Sequence, residues 1–325
     1  MRASDPALDL VALGEPMAEF AAETPGRLGE VRTFRRGYGG DTSNVVVAAA
    51  RMGARGGYVT RVGDDEFGRA FLALWQAEGI DTRQVIVERG SRTGVYFIAR
   101  HARGHDFTYY RRDSAASHLS PADLDRAALA AARVLHTSGI TQAVSPSARQ
   151  AAETAMRIVR AAGGAVSYDV NYRPALWPPQ TARPAVEAAC AQATMVFLSE
   201  EDAAALYAGV APEDAAARLL GLGPQLVVLK RGARGCLILA AAGERHDLPG
   251  WPVEAVDTTG AGDAFAGAFV TAWLEGARLD DAGRLANAVG ALTATGLGAV
   301  ESIPRRPQVM AFLREQQART QHRRE

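Results

Sequence analysis

The chain has 325 residues with 36 basic and 36 acidic side chains, a formal net charge of 0, so neither nucleic acid nor an anionic membrane is an electrostatically favoured partner. Hydrophobic residues make up 48% and charged residues 22%, which excludes disordered, collagen-like and coiled-coil classes and leaves material for a large core. Cys190 and Cys236, outside any CxxC spacing, exclude a disulfide framework or zinc site and point to a reducing, cytoplasmic setting. No signal peptide is expected in the first nine residues, and no apolar stretch nears the roughly 20 residues of a membrane span.

The first apolar run, Leu8–Gly14, reads as a buried strand. Gly39-Gly40-Asp41-Thr42-Ser43-Asn44 then opens a helix, with Asp41 or Thr42 expected as N-cap and Gly53 as the glycine just past its end. A strand around Tyr58–Val62 and a helix Glu66–Glu78 follow. The alternation returns downstream as strand Val134–His136, helix Ser147–Ala162, strand Val166–Val170, helix Pro184–Ala193, strand Met195–Leu198, helix Glu201–Tyr207 and strand Leu226–Lys230. Repeated β-α-β with short connections predicts an α/β fold, a mostly parallel sheet with helices on both faces. Two stretches break the rhythm: Val31–Gly37, and Thr93–Arg100 with Phe107–Arg111 joined by His101–Asp106, a predicted hairpin. Such strands form either a flap over a pocket or an edge extension of the main sheet. Strands Gly235–Leu239 and His246–Leu248 come next, and a polar tail, Arg319–Glu325, is expected to fray.

The chemistry concentrates in Ala255-Val-Asp257-Thr-Thr-Gly260-Ala261-Gly262-Asp263-Ala-Phe. Glycines before a helix let backbone N–H groups turn toward one point, and the helix start adds about half a positive charge. That is an anion site. Asp263, in the first turn, is either a capping acid or a carboxylate placed to take a proton from an attacking hydroxyl. Lys230 is the only lysine in an arginine-rich chain.

Asp257-Thr-Thr-Gly-Ala-Gly-Asp263-Ala-Phe resembles the C-terminal signature of the ribokinase (PfkB-type) sugar kinases. Gly39-Gly40-Asp41-Thr-Ser-Asn44, with its alanine-rich helix, is similar to the N-terminal signature. Arg61-Val-Gly-Asp-Asp-Glu-Phe-Gly68 lies between them, and the Walker motif is absent, as in that family. The resemblance implies a single ribokinase-like domain over residues 1–325, with a discontinuous β lid from about 15–38 and 92–113. Phe107–Arg111, Ser114-Ala-Ala, His136–Thr141, Asp169–Arg173 with Leu176-Trp177, Phe197–Glu201 and Val227–Gly232 look most like the 2-keto-3-deoxygluconate kinases. A sugar acid carries a carboxylate, for which arginine forks are natural partners.

Carried over position by position, the resemblance makes Asp263 the base and the amides of Gly260, Ala261 and Gly262 the anion hole. Gly39, Gly40, Asn44 and Asp169 would line the sugar site, and Tyr96, Tyr109, Arg111 and Arg173 would meet the acid. Ser199, Lys230, Gly232, Gly235, Gly260 and Gly262 would hold nucleotide phosphates, and Asn287 would lie by the adenine. The family's Asn-x-x-Glu motif is here Ser199-Glu-Glu-Asp202, so Mg²⁺ is expected mainly on phosphate oxygens and water. Many members also hold K⁺; Asp257 matches its ligand, and Gly298 and Ser302 lie in the segment that would close that site. The expected partners are thus ATP, Mg²⁺ and a small sugar acid, with no nucleic acid or membrane, and a homodimer through exposed lid edges. Two alternatives stand beside this reading. One is a ribose, fructose or nucleoside kinase of the same family; the other is a non-catalytic sugar sensor on the same fold.

Overall fold

The computed structural model describes residues 7–101 and 104–322. Expectations for the first six residues, for 102–103 inside the predicted hairpin and for the last three residues lie outside the described residues.

The chain begins with β1 (Leu10–Leu13), β2 (Met17–Ala22), β3 (Phe34–Gly39), α1 (Asp41–Arg51), β4 (Gly56–Gly63), α2 (Glu66–Ala77) and β5 (Val85–Glu88). Next come β6 (Gly94–His101), β7 (Gly104–Tyr110), α3 (Arg126–Ala131), β8 (Val134–Ser138), α4 (Gly139–Val144), α5 (Pro146–Ala161) and β9 (Ala165–Asp169). The remainder is α6 (Pro179–Cys190), β10 (Met195–Ser199), α7 (Glu200–Leu206), α8 (Pro212–Leu220), β11 (Leu226–Lys230), β12 (Cys236–Ala240) and β13 (Arg245–Leu248). It closes with α9 (Ala261–Leu274), α10 (Leu279–Ala294) and α11 (Arg306–His322).

Nine strands form one sheet in the order β13-β12-β11-β10-β9-β8-β1-β4-β5. All its pairings are parallel except β11–β12 and β12–β13. Successive residues of the buried strands serve opposite faces, as a period of two requires. Leu10, Ala12, Met195 and Phe197 join the core beneath α1, α9 and α10. Val11, Leu13, Val196 and Leu198 join the core beneath α5 and α6. The hairpin is not an extension of this sheet. It joins β2 and β3 in a separate four-stranded sheet, order β3-β2-β6-β7.

Three local expectations are corrected. Helix α1 has neither Asp41 nor Thr42 as its cap: Gly40 occupies that place with φ 100°, and Asp41 is the first helical residue. Only glycine fits there, because a Cβ would lie 2.4 Å from the Glu15 carbonyl oxygen. Helix α6 starts at Pro179 rather than Pro184; proline at its first position loses no helical hydrogen bond. Helix α11 runs to His322 instead of fraying from Arg319, since buried Val309 anchors it, with Phe312 and Leu313 packed on the core. Helices α3, α4 and α8 and strand β5 were not among the expected elements; each is short.

Candidate active site

The parallel strands deliver their C-terminal ends to one crevice, the usual place for a site in such sheets. Asp169 ends β9, Ser199 ends β10 and Lys230 ends β11. Facing them is the start of α9. Gly260 caps that helix in the left-handed region, φ 76°, and a Cβ there would come within 3.0–3.1 Å of Ala299. A side chain would push the turn open. The Ala261 N–H donates to the Thr258 carbonyl at 3.2 Å, so the donors α9 offers to an anion are its next amides, Gly262 and Asp263.

Asp263 Oδ2 accepts a 2.8 Å hydrogen bond from Asn44 Nδ2. Burial, reinforced by the nearby Asp41 carboxylate, pushes the Asp263 carboxyl up to about 7, although Lys230 and the Asn44 hydrogen bond pull the other way. A carboxyl poised there is matched to proton transfer at neutral pH. Lys230 Nζ donates to Asp169 Oδ2 at 2.6 Å and lies 3.4 Å from where a Gly262 Cβ would be. Burial works against the Lys230 charge, but the Asp169 carboxylate outweighs it, and the ammonium's pKa is raised. Asp169 itself is pushed up to about 6 by burial, with Lys230 opposing. The lysine therefore stays charged beside the helix start, adding to its pull on an anion.

Three buried acceptor oxygens around this point have no hydrogen-bond partner: Asp41 Oδ1, Asn44 Oδ1 and Asp169 Oδ1. Buried polar atoms are normally satisfied, and three unmet acceptors suit a ligand rich in hydroxyl donors. Asp41 is held from the other side by Asn171 Nδ2 at 3.3 Å, and Asn171 adopts φ 37°.

The small sheet carries Tyr96 and Tyr109, and Arg111 follows directly after β7; Tyr96 and Arg111 are not free groups. The Tyr96 hydroxyl donates to Glu19 and sits over Gly39, where a Cβ would strike it. Arg111 Nη2 donates to Glu15, whose other oxygen accepts from Ser114 Oγ at 2.5 Å. Both partners of that pair are nearly sealed, with side-chain exposures of 10% and 1%, and Arg111 Nε has no partner. Arg173 is exposed, its Nη1 bonded to the neighbouring Tyr172 carbonyl at 2.9 Å. Glu15 and Glu19 were missed by sequence reasoning. A charged residue directly after the buried strand Leu10–Leu13 and its glycine was the available signal for Glu15.

Of the nucleotide residues, Ser199 is occupied as the cap of α7, in a reciprocal pair with Asp202. Asp202 also accepts the Tyr172 N–H at 2.7 Å, so the acid standing in the Asn-x-x-Glu position is committed to two backbone amides. Gly232 and Gly235 bound a tight turn with φ 55° and 90°, and Asn287 Nδ2 donates to the Pro249 carbonyl at 3.2 Å. Among the described residues no group of three or more His, Cys, Asp or Glu could hold a metal ion. Asp257 accepts from Thr259 N (3.0 Å), Thr259 Oγ1 (2.7 Å) and Gly298 N (3.2 Å). Three of its roughly four lone-pair sites are filled, which leaves room for one cation contact. No helix among the described residues is long and apolar enough to cross a membrane.

Comparison with known proteins identifies the family. A family profile described as pfkB family carbohydrate kinase matches residues 7–306. The chain is 37% identical over 302 residues to 2-dehydro-3-deoxygluconokinase of Thermoproteus tenax, covering 91% of each chain. It is 34% identical to fructokinase-1 of Oryza sativa subsp. japonica, covering 94% of this chain and 97% of that one. A solved structure of a putative ribokinase II from E. coli, in complex with ATP and Mg²⁺, superposes with TM-score 0.88 at 28% identity, covering 95% and 99%.

Proposed function

The chain belongs to the pfkB family of carbohydrate kinases, and on that premise we propose that it transfers the γ-phosphoryl group of ATP to a terminal hydroxyl of 2-keto-3-deoxygluconate or a close sugar acid. The observation that carries the reading is Asp263, its carboxyl raised to about 7 in the first turn of α9. In this proposal Asp263 takes the hydroxyl proton, while the Gly262 and Asp263 amides and Lys230 stabilise charge on the transferring group. Asp41, Asn44 and Asp169 offer their unmet oxygens to substrate hydroxyls. Arg173, with Arg111 Nε, is the proposed reader of the carboxylate. Mg²⁺ supplies charge neutralisation on the phosphates, held by their oxygens and water. The similarity to 2-dehydro-3-deoxygluconokinases supports the acid substrate, and the ATP bound in a structural neighbour supports the nucleotide. The four-stranded sheet is proposed as a lid over the sugar, and Asp257 as a ligand of K⁺.

One observation favours a second reading, a neutral hexose. Arg111 is already neutralised by Glu15, and Asp41, Asp169 and Asp263 outnumber Lys230 around the crevice. The similarity to fructokinases points the same way. ADP production across 2-keto-3-deoxygluconate, other sugar acids, fructose and ribose decides between them. The proposal expects the highest kcat/KM on the 2-keto-3-deoxy acid. A higher value on fructose establishes the second reading, and no turnover with any sugar returns the non-catalytic sensor.

A further inference from the structure

Helix α1 presents Asn44 to Asp263 from its first turn, and two turns later, on the same face, it carries Arg51. Arg51 takes no part in the reading above, yet its donors are spent on two distant segments of chain. Nη1 donates to the carbonyls of Val300 and Ile303 at 2.8 and 2.7 Å. Nε and Nη2 donate to Glu78 Oε1 at 3.2 and 2.7 Å. The side chains of this pair are 10% and 6% exposed. Arg305 Nη2 adds a third cationic contact to Glu78 at 3.1 Å. Although burial alone would raise the Glu78 carboxyl, Arg51 and Arg305 bring it below its usual value.

The segment that Arg51 grips is the wall of the α9 start. Ala299 lies against Gly260, where a Cβ would come within 3.0–3.1 Å of it and Ala299 would have to give way. The Gly298 N–H donates to Asp257 Oδ2 at 3.2 Å, and Ser302 Oγ donates to the Gly298 carbonyl at 2.5 Å. Residues 298–303 are thus held by Asp257 and Gly260 on the side of the crevice and by Arg51 on the other. A planar fork can serve two carbonyls and a carboxylate at once, which a point charge on a flexible stem cannot.

We infer that Arg51 is a positioning residue for phosphoryl transfer: by gripping the Val300 and Ile303 carbonyls it sets the 298–303 turn, and through Ala299 and Gly260 the aim of the α9 amides. This rests on the phosphoryl-transfer reading of that helix start. Displacing preorganised donors by about 1 Å costs up to roughly 100-fold in rate. Apart from Asp263 itself, the residues proposed to touch sugar lie on other segments or at the far end of α1, so the loss belongs mainly in kcat rather than in the sugar KM.

Arg51→Met and Arg51→Lys, assayed beside Asp263→Asn, test the inference. Arg51→Met should lower kcat by about 10–100-fold with the sugar KM within about threefold of the parent, and Arg51→Lys should recover part of it. Arg51→Ala supplies a second measurement. A cavity of about 550 Å³ is lined by Arg51, Ser302, Ile303 and Arg305, and it offers added guanidinium a path to the vacated place. Millimolar guanidinium should raise kcat of Arg51→Ala and leave Asp263→Asn unchanged. Unchanged kcat in either folded Arg51 variant overturns the inference, as does a parallel loss of kcat and sugar affinity with no guanidinium rescue. If Arg51→Met does not fold, the lysine variant and the rescue measurement test the inference in its place. Full activity of Asp263→Asn instead overturns the parent reading.

Discussion

Replacing Asp263 with Asn is the most searching perturbation of the site, because it separates proton transfer from everything else the residue does. The amide keeps the shape and can still accept the Asn44 hydrogen bond, seen at 2.8 Å, but it cannot take a proton. Loss of a general base costs about 10²–10⁴-fold, or roughly 3–5 kcal/mol of barrier. The parent enzyme should show kcat/KM rising with pH and levelling off above about 7, where Asp263 loses its proton. Stability should move the opposite way to activity. A carboxyl carried from 3.8 to about 7 on folding corresponds to a ceiling of about 4 kcal/mol. Because the folded state binds this proton more tightly, its stabilising contribution is complete below the unfolded value near 4 and is lost as pH rises through about 7. The variant escapes that loss, so it should be the more stable protein at pH 8, with the two converging towards pH 4. Coupled-enzyme measurement of ADP and urea denaturation at several pH values give both numbers. A folded variant with more than about a tenth of parental kcat would refute the base assignment, and a flat kcat/KM profile from pH 5.5 to 8 would refute the raised carboxyl.

Other expectations follow from the same geometry. Arg173→Ala should lower kcat/KM on the sugar acid by roughly 10–150-fold, the worth of a charge-assisted hydrogen bond, and change fructose turnover far less; equal losses would mean that Arg173 does not read a carboxylate. Arg111→Ala strands the buried Glu15 carboxylate, exposed by only 1%, and should cost about 3–5 kcal/mol in urea denaturation, a cost that a nearly unchanged midpoint would disprove. Among the described residues the small sheet's own buried core is Met17, Tyr96 and Ile98, with Ala21 packed against it. Amides near Tyr96 and Tyr109 should therefore exchange fast without sugar and slow on its binding, and equal exchange in both states would count against a lid.

What the sequence determined by itself was whatever is local. The strand Leu226–Lys230 and the glycine past α1 could be placed because a few adjacent side chains and one backbone torsion decide them. The same holds for the two glycine signatures, whose meaning lies in consecutive residues, and for the alternation that makes a parallel sheet. Tertiary structure alone decided which groups are spent and which are free. Asn44 meets Asp263 across 219 residues, Arg111 meets Glu15 across 96 and Lys230 meets Asp169 across 61. No periodicity encodes such pairings, because the topology of the sheet brings those segments together. Arg111 looked available from its neighbours and is held by an acid just past β1; Arg51 carried no signal in the sequence and is bound to Glu78 and to the Val300 and Ile303 carbonyls. A side chain's type is written in the sequence, but its charge state and its free valence depend on burial and on partners, and the fold supplies both.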